Sequence, residues 1–437
     1  MVRWLARWGV LAVLCASTSA GAQNSEDVVA GADVALTGGA VVANVHTGGA
    51  MWFNPAGVAR LDATSVDLTG AVVRYSLIRA PGALALASGE GSAGKFSAIQ
   101  AIPRALTFVA SPRANLRWGV GFFFTRVTNR FVQDSVVSDE GQSPTVEAFG
   151  SADQTRSVYH VSSAVGWKKN DKLLFGGGLD IVIATQRTSQ SIAAGYDGGA
   201  SGASSVALGE NLSGGGIQMK VGVQFAPMEA VRLGVMVATP SYLAFVNQDT
   251  TSTQTVAPPD SPPSFTGSQT DELSGAWAGV EPGLTRVGLA WLRERGWIET
   301  DLIVHFPLET PVFGIDWKTV ANVRVGGIAR VSRRLKIGGG FSTDFSAQRA
   351  LDEFAENAVD FYRFTVGFDF ANREKPPERG ESGFYLAFAV AATYSYGVGQ
   401  IVGALLPSTF GTPAFEETPV RATVNEVAVN VAIKLGF

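Results

Sequence analysis

The sequence predicts an all-β protein, a 14-stranded antiparallel transmembrane β-barrel with an N-terminal plug. Three observations lead there. The chain is apolar and glycine-rich, with 46% hydrophobic residues, only 16% charged and 51 glycines, where a soluble protein carries about 25% charge. Side chains alternate in character at period two from Thr64 to the C-terminus, the periodicity of strands with two different faces. The connections between the alternating segments are short and long by turns, as in barrels with tight periplasmic turns and longer external loops.

The first residues set the compartment. Arg3 and Arg7 precede an apolar stretch, Gly9–Ala16, too short to span a bilayer as a helix, and Ala20-Gly21-Ala22 offers the small-x-small pattern of a signal-peptidase site. Residues 1–22 are thus expected to be a signal peptide, with the mature chain starting at Gln23 in the periplasm. Lipidation at Cys15 is disfavoured because the preceding residue, Leu14, is not small. Cys15 is the only cysteine, so the mature chain has no thiol for a disulfide or a thiolate metal site. It keeps 32 of the 34 basic residues against 38 acidic ones, a net charge near −6. That excludes a nucleic-acid partner, which requires a basic face.

Two uncharged runs challenge a barrel. Val34–Ala59 contains six glycines or prolines and is a poor membrane helix. Gly383–Phe415 is a better candidate, but its first half alternates. Phe384, Leu386, Phe388, Val390, Tyr394 and Tyr396 share one face, and Tyr385, Ala387, Ala389, Ala391, Thr393 and Ser395 share the other. Large against small at period two describes a strand with lipid outside and a crowded lumen inside.

Fourteen such segments are expected, near 64–77, 98–111, 116–133, 156–169, 172–187, 212–227, 230–248, 281–293, 295–307, 318–332, 335–346, 358–371, 382–398 and 424–437. An even number returns both ends to the periplasmic side. The last strand is the clearest: Val427, Val429, Val431, Ile433, Leu435 and Phe437 oppose Glu426, Ala428, Asn430, Ala432, Lys434 and Gly436. Short turns fall at Ser111–Asn115, Lys169–Lys172, Pro227–Glu229, Arg293–Gly296 and Ser332–Arg334. Asp134–Thr155, Thr188–Asn211, Asp249–Val280 and Gly399–Thr423 are expected as long external loops. The terminal aromatic, Phe437, resembles the signal read by the outer-membrane barrel assembly machinery.

Residues 23–62 precede the barrel (63–437) and do not alternate. Apolar, irregular backbone at membrane depth must be buried in protein, so this segment is expected to fill the lumen as a plug or hatch. Met51, Trp52 and Phe53 supply its apolar contacts, where a disordered periplasmic tail would lack them. Within it, Trp52–Leu61 (WFNPAGVARL) resembles the N-P-A-G block of the FadL-type outer-membrane transporters of long-chain fatty acids and aromatic hydrocarbons. Ala30-Gly31-Ala32-Asp33 and the Gly/Ala run to Gly49 resemble that family's plug. Trp118–Gly121, Trp167–Gly178, Leu233–Val235 and Leu335–Phe341 resemble its strands. The resemblance covers nearly the whole mature chain and implies a 14-stranded barrel with a hatch, gated at Asn54, Pro55, Ala56 and Gly57. This chain departs from the family at His46-Thr47-Gly48-Gly49 and in its Ser/Gly/Pro-rich external segments, where the family carries ligand-capturing helices.

Three other residue groups resemble functional motifs. Gly89–Lys95 (GEGSAGK) starts like a P-loop, but Phe96 stands where a Mg²⁺-binding Ser or Thr is needed. His160-Val161-Ser162-Ser163 resembles the H-x-S-N-G motif of outer-membrane phospholipase, but lacks its Asn and Gly. His160 is therefore read as polar lumen lining. Glu299, Asp301 and His305 share one strand face and could hold a metal. An aqueous lumen in which they pair with Arg324, Arg330 and Arg363 accounts for them without one, so no metal or other cofactor is expected. The resulting function is passive, non-enzymatic uptake of a hydrophobic ligand resembling a long-chain fatty acid, in contact with outer-membrane lipid and lipopolysaccharide. A general porin and a structural or adhesive barrel are the alternatives.

Overall fold

The computed structural model describes residues 28–61, 64–87, 89–138, 145–197, 202–257, 264–275, 278–310, 315–347, 358–374, 384–406 and 416–437. The expected signal peptide, its cut after Ala22 and the new terminus at Gln23 lie outside the described residues. Besides the short strands Leu84–Leu86, Leu308–Thr310 and Ile315–Trp317, fourteen barrel strands follow the N-terminal segment. They are β1 (Ser65–Arg79), β2 (Lys95–Arg113), β3 (Leu116–Val137), β4 (Thr145–Asn170), β5 (Leu173–Asp197) and β6 (Gly202–Met228). Next come β7 (Val231–Ala238 continued by Ser241–Ala257) and β8 (Ser264–Gly275, Ala278–Glu281 and Leu284–Arg293). Pro240 and Pro282, which cannot donate to a ladder, sit at interruptions in these two. The last six are β9 (Gly296–His305), β10 (Val320–Arg330), β11 (Leu335–Asp344), β12 (Ala358–Ala371), β13 (Tyr385–Leu406) and β14 (Glu416–Gly436).

Each strand pairs antiparallel with the next, and β1 pairs with β14 from Ser65↔Gly436 to Arg79↔Thr423, which closes the barrel. Closure leaves no open edge, the condition for a sheet in lipid. Among the described residues no helix is long and apolar enough to cross a membrane. The alternation sorts as a membrane barrel demands. Ile181, Val221, Leu233, Leu289, Ile298, Val366 and Phe388 are exposed, while Asp180, Lys220, Arg286, Asp301, Arg324 and Asp369 are buried. Exposing the first set to water and burying the second would invert ordinary soluble folding, so the outer face meets lipid and the inner face the lumen.

The external segments correct the sequence reading. Asp134–Thr155, Thr188–Asn211, Asp249–Val280 and Gly399–Thr423 are not mainly loops. In each, the flanking strands run on and pair, so that β4, β5 and β6 reach 26, 25 and 27 residues. Above the bilayer the outward face meets water instead of lipid while Val136, Val146, Ala148 and Ala194 stay buried with Leu84 and Leu86, so the large/small alternation that marks a strand fades while the ladder continues. Gly89–Lys95 lies in the β1–β2 connection and leads into a strand, so no helix N-terminus follows to cradle a phosphate.

The barrel seam ends at Phe437, whose N–H donates to the Thr64 carbonyl at 2.9 Å while its exposed ring approaches Phe384. Deleting Phe437 is expected to lower the amount of heat-modifiable, trypsin-resistant protein in the membrane severalfold. Unchanged amounts on a semi-native gel would remove its assembly role.

Candidate functional site

Residues Val28–Leu61 lie inside the barrel and are almost wholly buried. They form helix α1 (Ala32–Thr37), helix α2 (Ala50–Phe53) and a 3₁₀ turn over Pro55–Arg60. The helices are short because glycines end or flank them. Gly38 caps α1 at φ 63° in the left-handed region, and Gly39 follows at φ 89° beneath Arg324.

Irregular backbone in a lumen needs partners for its peptide groups. The wall supplies them from charged side chains. Asp301 Oδ2 accepts from the N–H groups of Val41 (2.8 Å) and Val42 (3.2 Å), and Glu299 accepts from Ala43. Arg324 donates to the Gly39 carbonyl, Arg286 to that of Trp52 (2.7 Å), Arg117 to that of Leu61 (2.8 Å) and Lys434 to that of His46 (2.9 Å). Asp67 accepts from Gly48 and Thr69 from Gly31. Of the cations expected beside Glu299, Asp301 and His305, Arg324 stands directly opposite Asp301 in the β9–β10 ladder; for Arg330 and Arg363 the structure gives other partners. Arg363 instead pairs with Asp344 at 2.7 Å, and Arg330 pairs with Glu374 at the exposed turn end. His305 is buried. No metal-binding group of His, Cys, Asp or Glu occurs among the described residues.

Asn54 holds the segment by its side chain. Its extended backbone and Pro55 at the first helical position start the 3₁₀ turn, and Oδ1 accepts from the Ala56 N–H at 3.1 Å. Nδ2 donates to the carbonyls of Val42 (2.9 Å), Val223 (3.2 Å) and Val235 (3.4 Å), so one amide joins the segment to itself and to β6 and β7. The turn lies directly against the wall because glycines leave room. A Cβ on Gly222 would overlap Asn54 Oδ1, and one on Gly176 would overlap the Pro55 backbone. Gly57 packs under Val45 in the same way. The inward glycines are a signal that sequence reasoning missed, although their period-two placement was visible.

Trp52 and Phe53 anchor the centre. Trp52 lies 5.7 Å from Phe123 and edge-on to His160 at 4.9 Å, with Lys220 Nζ 3.6 Å from its ring centroid. Arg286 and Arg324 approach the Phe53 face. Met51 joins the same core with Val109 and Phe123. His160 sits between Asp180 (3.0 Å to Nδ1) and Glu281 (2.9 Å to Nε2). Lys220 pairs with Asp180, and Ser241 and Thr125 donate to Glu281. Both imidazole nitrogens are engaged by carboxylates. Ser162 Oγ has no hydrogen-bond partner among the described residues, so no nucleophile–base pair exists here.

Outward of this network the lumen changes character. Val158, Val182, Ala184, Leu212, Leu243 and Val246 face inward on β4–β7 and form one apolar cluster. A second, around Phe96, Val359, Phe361 and Ile401, lies on the opposite wall. The wall itself is incomplete between β2 and β3, whose paired residues run only from Ala105↔Phe123 to Arg113↔Leu116. Pro103, which carries no N–H, stands just beyond that ladder.

No protein-family model and no curated protein matches the chain. Among solved structures it is similar to a FadL homologue of Pseudomonas aeruginosa, 12% identical over 96% of this chain and 99% of that one, at a TM-score of 0.57. It is also similar to the monoaromatic hydrocarbon channel CymD, 12% identical over 94% of this chain and 99% of that one, at 0.55. The Pseudomonas putida toluene transporter TodX is 14% identical over 94% of this chain and 99% of that one, at 0.54. At these identities the likeness is one of architecture: the chain has the fold of the FadL-type and hydrocarbon-channel barrels.

Proposed function

We propose that this chain is an outer-membrane channel for passive entry of small hydrophobic molecules, long-chain fatty acids or related hydrocarbons, with residues 23–62 as its plug. The observation that carries the reading is the apolar inward face of the outer barrel, above the charged layer that grips the plug. Such a lining suits an apolar solute, since each CH₂ taken from water favours the site by about 0.8 kcal/mol. A general porin would line its whole path with polar groups. The break in the β2–β3 ladder offers a sideways passage toward membrane lipid and lipopolysaccharide. Asn54, Pro55, Ala56 and Gly57 act as the gating turn, with Met51, Trp52 and Phe53 packed beneath it. The reading assigns no catalytic residue.

The deciding measurement is accumulation of labelled oleate and toluene in a host lacking its own transporter. Uptake of neither would refute the channel. Liposome swelling with sugars separates a porin, and failure to bind oleate would favour an adhesive barrel. A cysteine at Met51 is expected to react at least tenfold more slowly with a bulky aqueous thiol reagent in intact cells than one placed on an external hairpin. Equal rates would refute the plug.

A further inference from the structure

The external connection between β1 and β2 turns inward. Ala80–Gly94 folds into a small hairpin whose neck is closed by the Ala80 N–H on the Gly94 carbonyl (2.6 Å) and the Gly82 N–H on the Ser92 carbonyl (2.9 Å). Its first strand, Leu84–Leu86, pairs in parallel with Ala404–Leu406 at the top of β13. Leu84 and Leu86 are buried and pack with Val136, Val146, Ala148 and Ala194 near the upper ends of β3, β4 and β5. In the barrel order β14, β1 and β2 separate these two stretches of wall. The hairpin is thus a chord across one side of the mouth.

The wall is shaped to receive it. A Cβ on Gly403 of β13 would meet the Ala83 carbonyl at 2.9 Å, and Leu84 lies over Gly150 of β4, 3.5 Å from where a Cβ would stand. The covered surface is apolar on both sides. Ala80 and Ala83 pack on the cluster of Phe96, Phe361 and Ile401. The leucines cover the rim of β4 and β5, the strands that carry Val158 and Val182 lower down. Water standing in an open mouth would favour polar side chains at these positions. The leucines therefore hold the place that an apolar solute would take on its way to the lower clusters. The neck itself is built to turn. Gly82 at φ 79° and Gly94 at φ 53° hold left-handed backbone, which glycine adopts readily, and a Cβ on Gly82 would stand in open space among the described residues. The Gly94 N–H also donates to Asp134 Oδ2 of β3 at 3.2 Å, above the break in the β2–β3 ladder.

We infer that Ala80–Gly94 is an external lid, held shut by Leu84 and Leu86, which an entering apolar solute displaces from the surface they share. The inference rests on the channel reading and adds a second barrier to it. The N-terminal segment fills the lumen from below, and the hairpin covers the apolar side of the mouth from above. The leucines act as a built-in competitor for the solute. A polar molecule gains nothing at that surface and leaves the lid shut.

The test locks the lid. Ala85 and Leu405 are partners in the parallel ladder, and neighbouring strands lie about 4.8 Å apart, within disulfide reach. The A85C/L405C pair can therefore be closed by oxidation and reopened by dithiothreitol. Cys15, the only native cysteine, lies in the expected signal peptide. Cells lacking their own transporter and carrying wild type or variant are given labelled toluene. Uptake by the oxidised variant is expected to fall about fivefold or more below that of the reduced variant, with wild type unaffected by either reagent. Equal uptake with the cross-link complete on a gel would overturn the lid. If wild type takes up neither toluene nor oleate, the channel reading fails and the lid is judged by its opening alone, as it is where the cysteine pair does not assemble. For that, L86C, at a buried position, is compared with A87C, at an exposed one, in intact cells with a bulky maleimide. A lid that opens labels L86C within about a hundredfold of the A87C rate. Slower labelling means a fixed hairpin and overturns the inference.

Discussion

Replacing Asn54 by alanine is expected to leave the barrel assembled and to change uptake of a hydrophobic solute severalfold. The strands keep their ladders, because Asn54 belongs to none of them. The variant loses the cap on Ala56 and the three donations to Val42, Val223 and Val235. The carbonyls keep other donors, Val223 and Val235 in their ladders and Val42 from Gln224 at 3.0 Å, so the loss is that of the side-chain bonds themselves, about 0.5–1.5 kcal/mol each. The loss falls on the junction between the segment and β6–β7, so the turn loosens there first. Accumulation of a labelled long-chain fatty acid, compared at equal surface expression, is the readout. Identical uptake by wild type and N54A would reduce the turn to a linker.

A larger effect is expected from Gly222→Leu. The new side chain would occupy the volume of the Asn54 amide and contact Pro55, and overpacking of a fixed backbone costs about 1–3 kcal/mol or more. β6 cannot yield, since it is paired along most of its length with β5 and β7. The segment must move instead, and its departure would open a polar path past Asp301, Glu299 and Arg286. Liposomes carrying G222L are expected to swell with small sugars at a rate at least tenfold above wild type. Impermeable liposomes containing correctly assembled G222L would show that the segment is not what closes the lumen.

The parts of the fold that could be read from the residues are those where the solvent differs across the sheet. β14 and β13 alternate because lipid lies on one side and a filled lumen on the other. Glu299, Asp301 and His305 fall on one face by the same parity. Their partners were not readable. Asp301 meets the backbone of Val41 and Val42, some 260 residues away, and a backbone N–H leaves no mark in the side-chain pattern. The same holds for Arg286 and Trp52. His160 reads as an ordinary inward polar residue, and only the barrel's curvature brings Glu281 from β8 to it. The upper halves of β4, β5 and β6 were invisible for the opposite reason. Their outward residues, such as Thr145, Glu147, Ser189 and Ser191, are exposed to water instead of lipid, and small residues such as Ala148 and Ala194 are buried inside, so the large/small contrast is lost while the hairpins persist.

The unequal strand lengths give the molecule a tall side and a low side. Strand β4 has 26 residues and β9 has 10. With a rise of about 3.3 Å per residue and a tilt near 40°, these span about 65 Å and 25 Å along the membrane normal, against an apolar band of about 25 Å. The ladder thus stops near the lipid surface along β9–β11 and climbs far above it along β3–β8. The rim is a slanted cowl, not a level crown. On the low side a small separate hairpin, Leu308–Thr310 with Ile315–Trp317, packs on Ala347 beyond the ends of β9–β11, so there side-chain packing takes over from the ladder that builds the tall side.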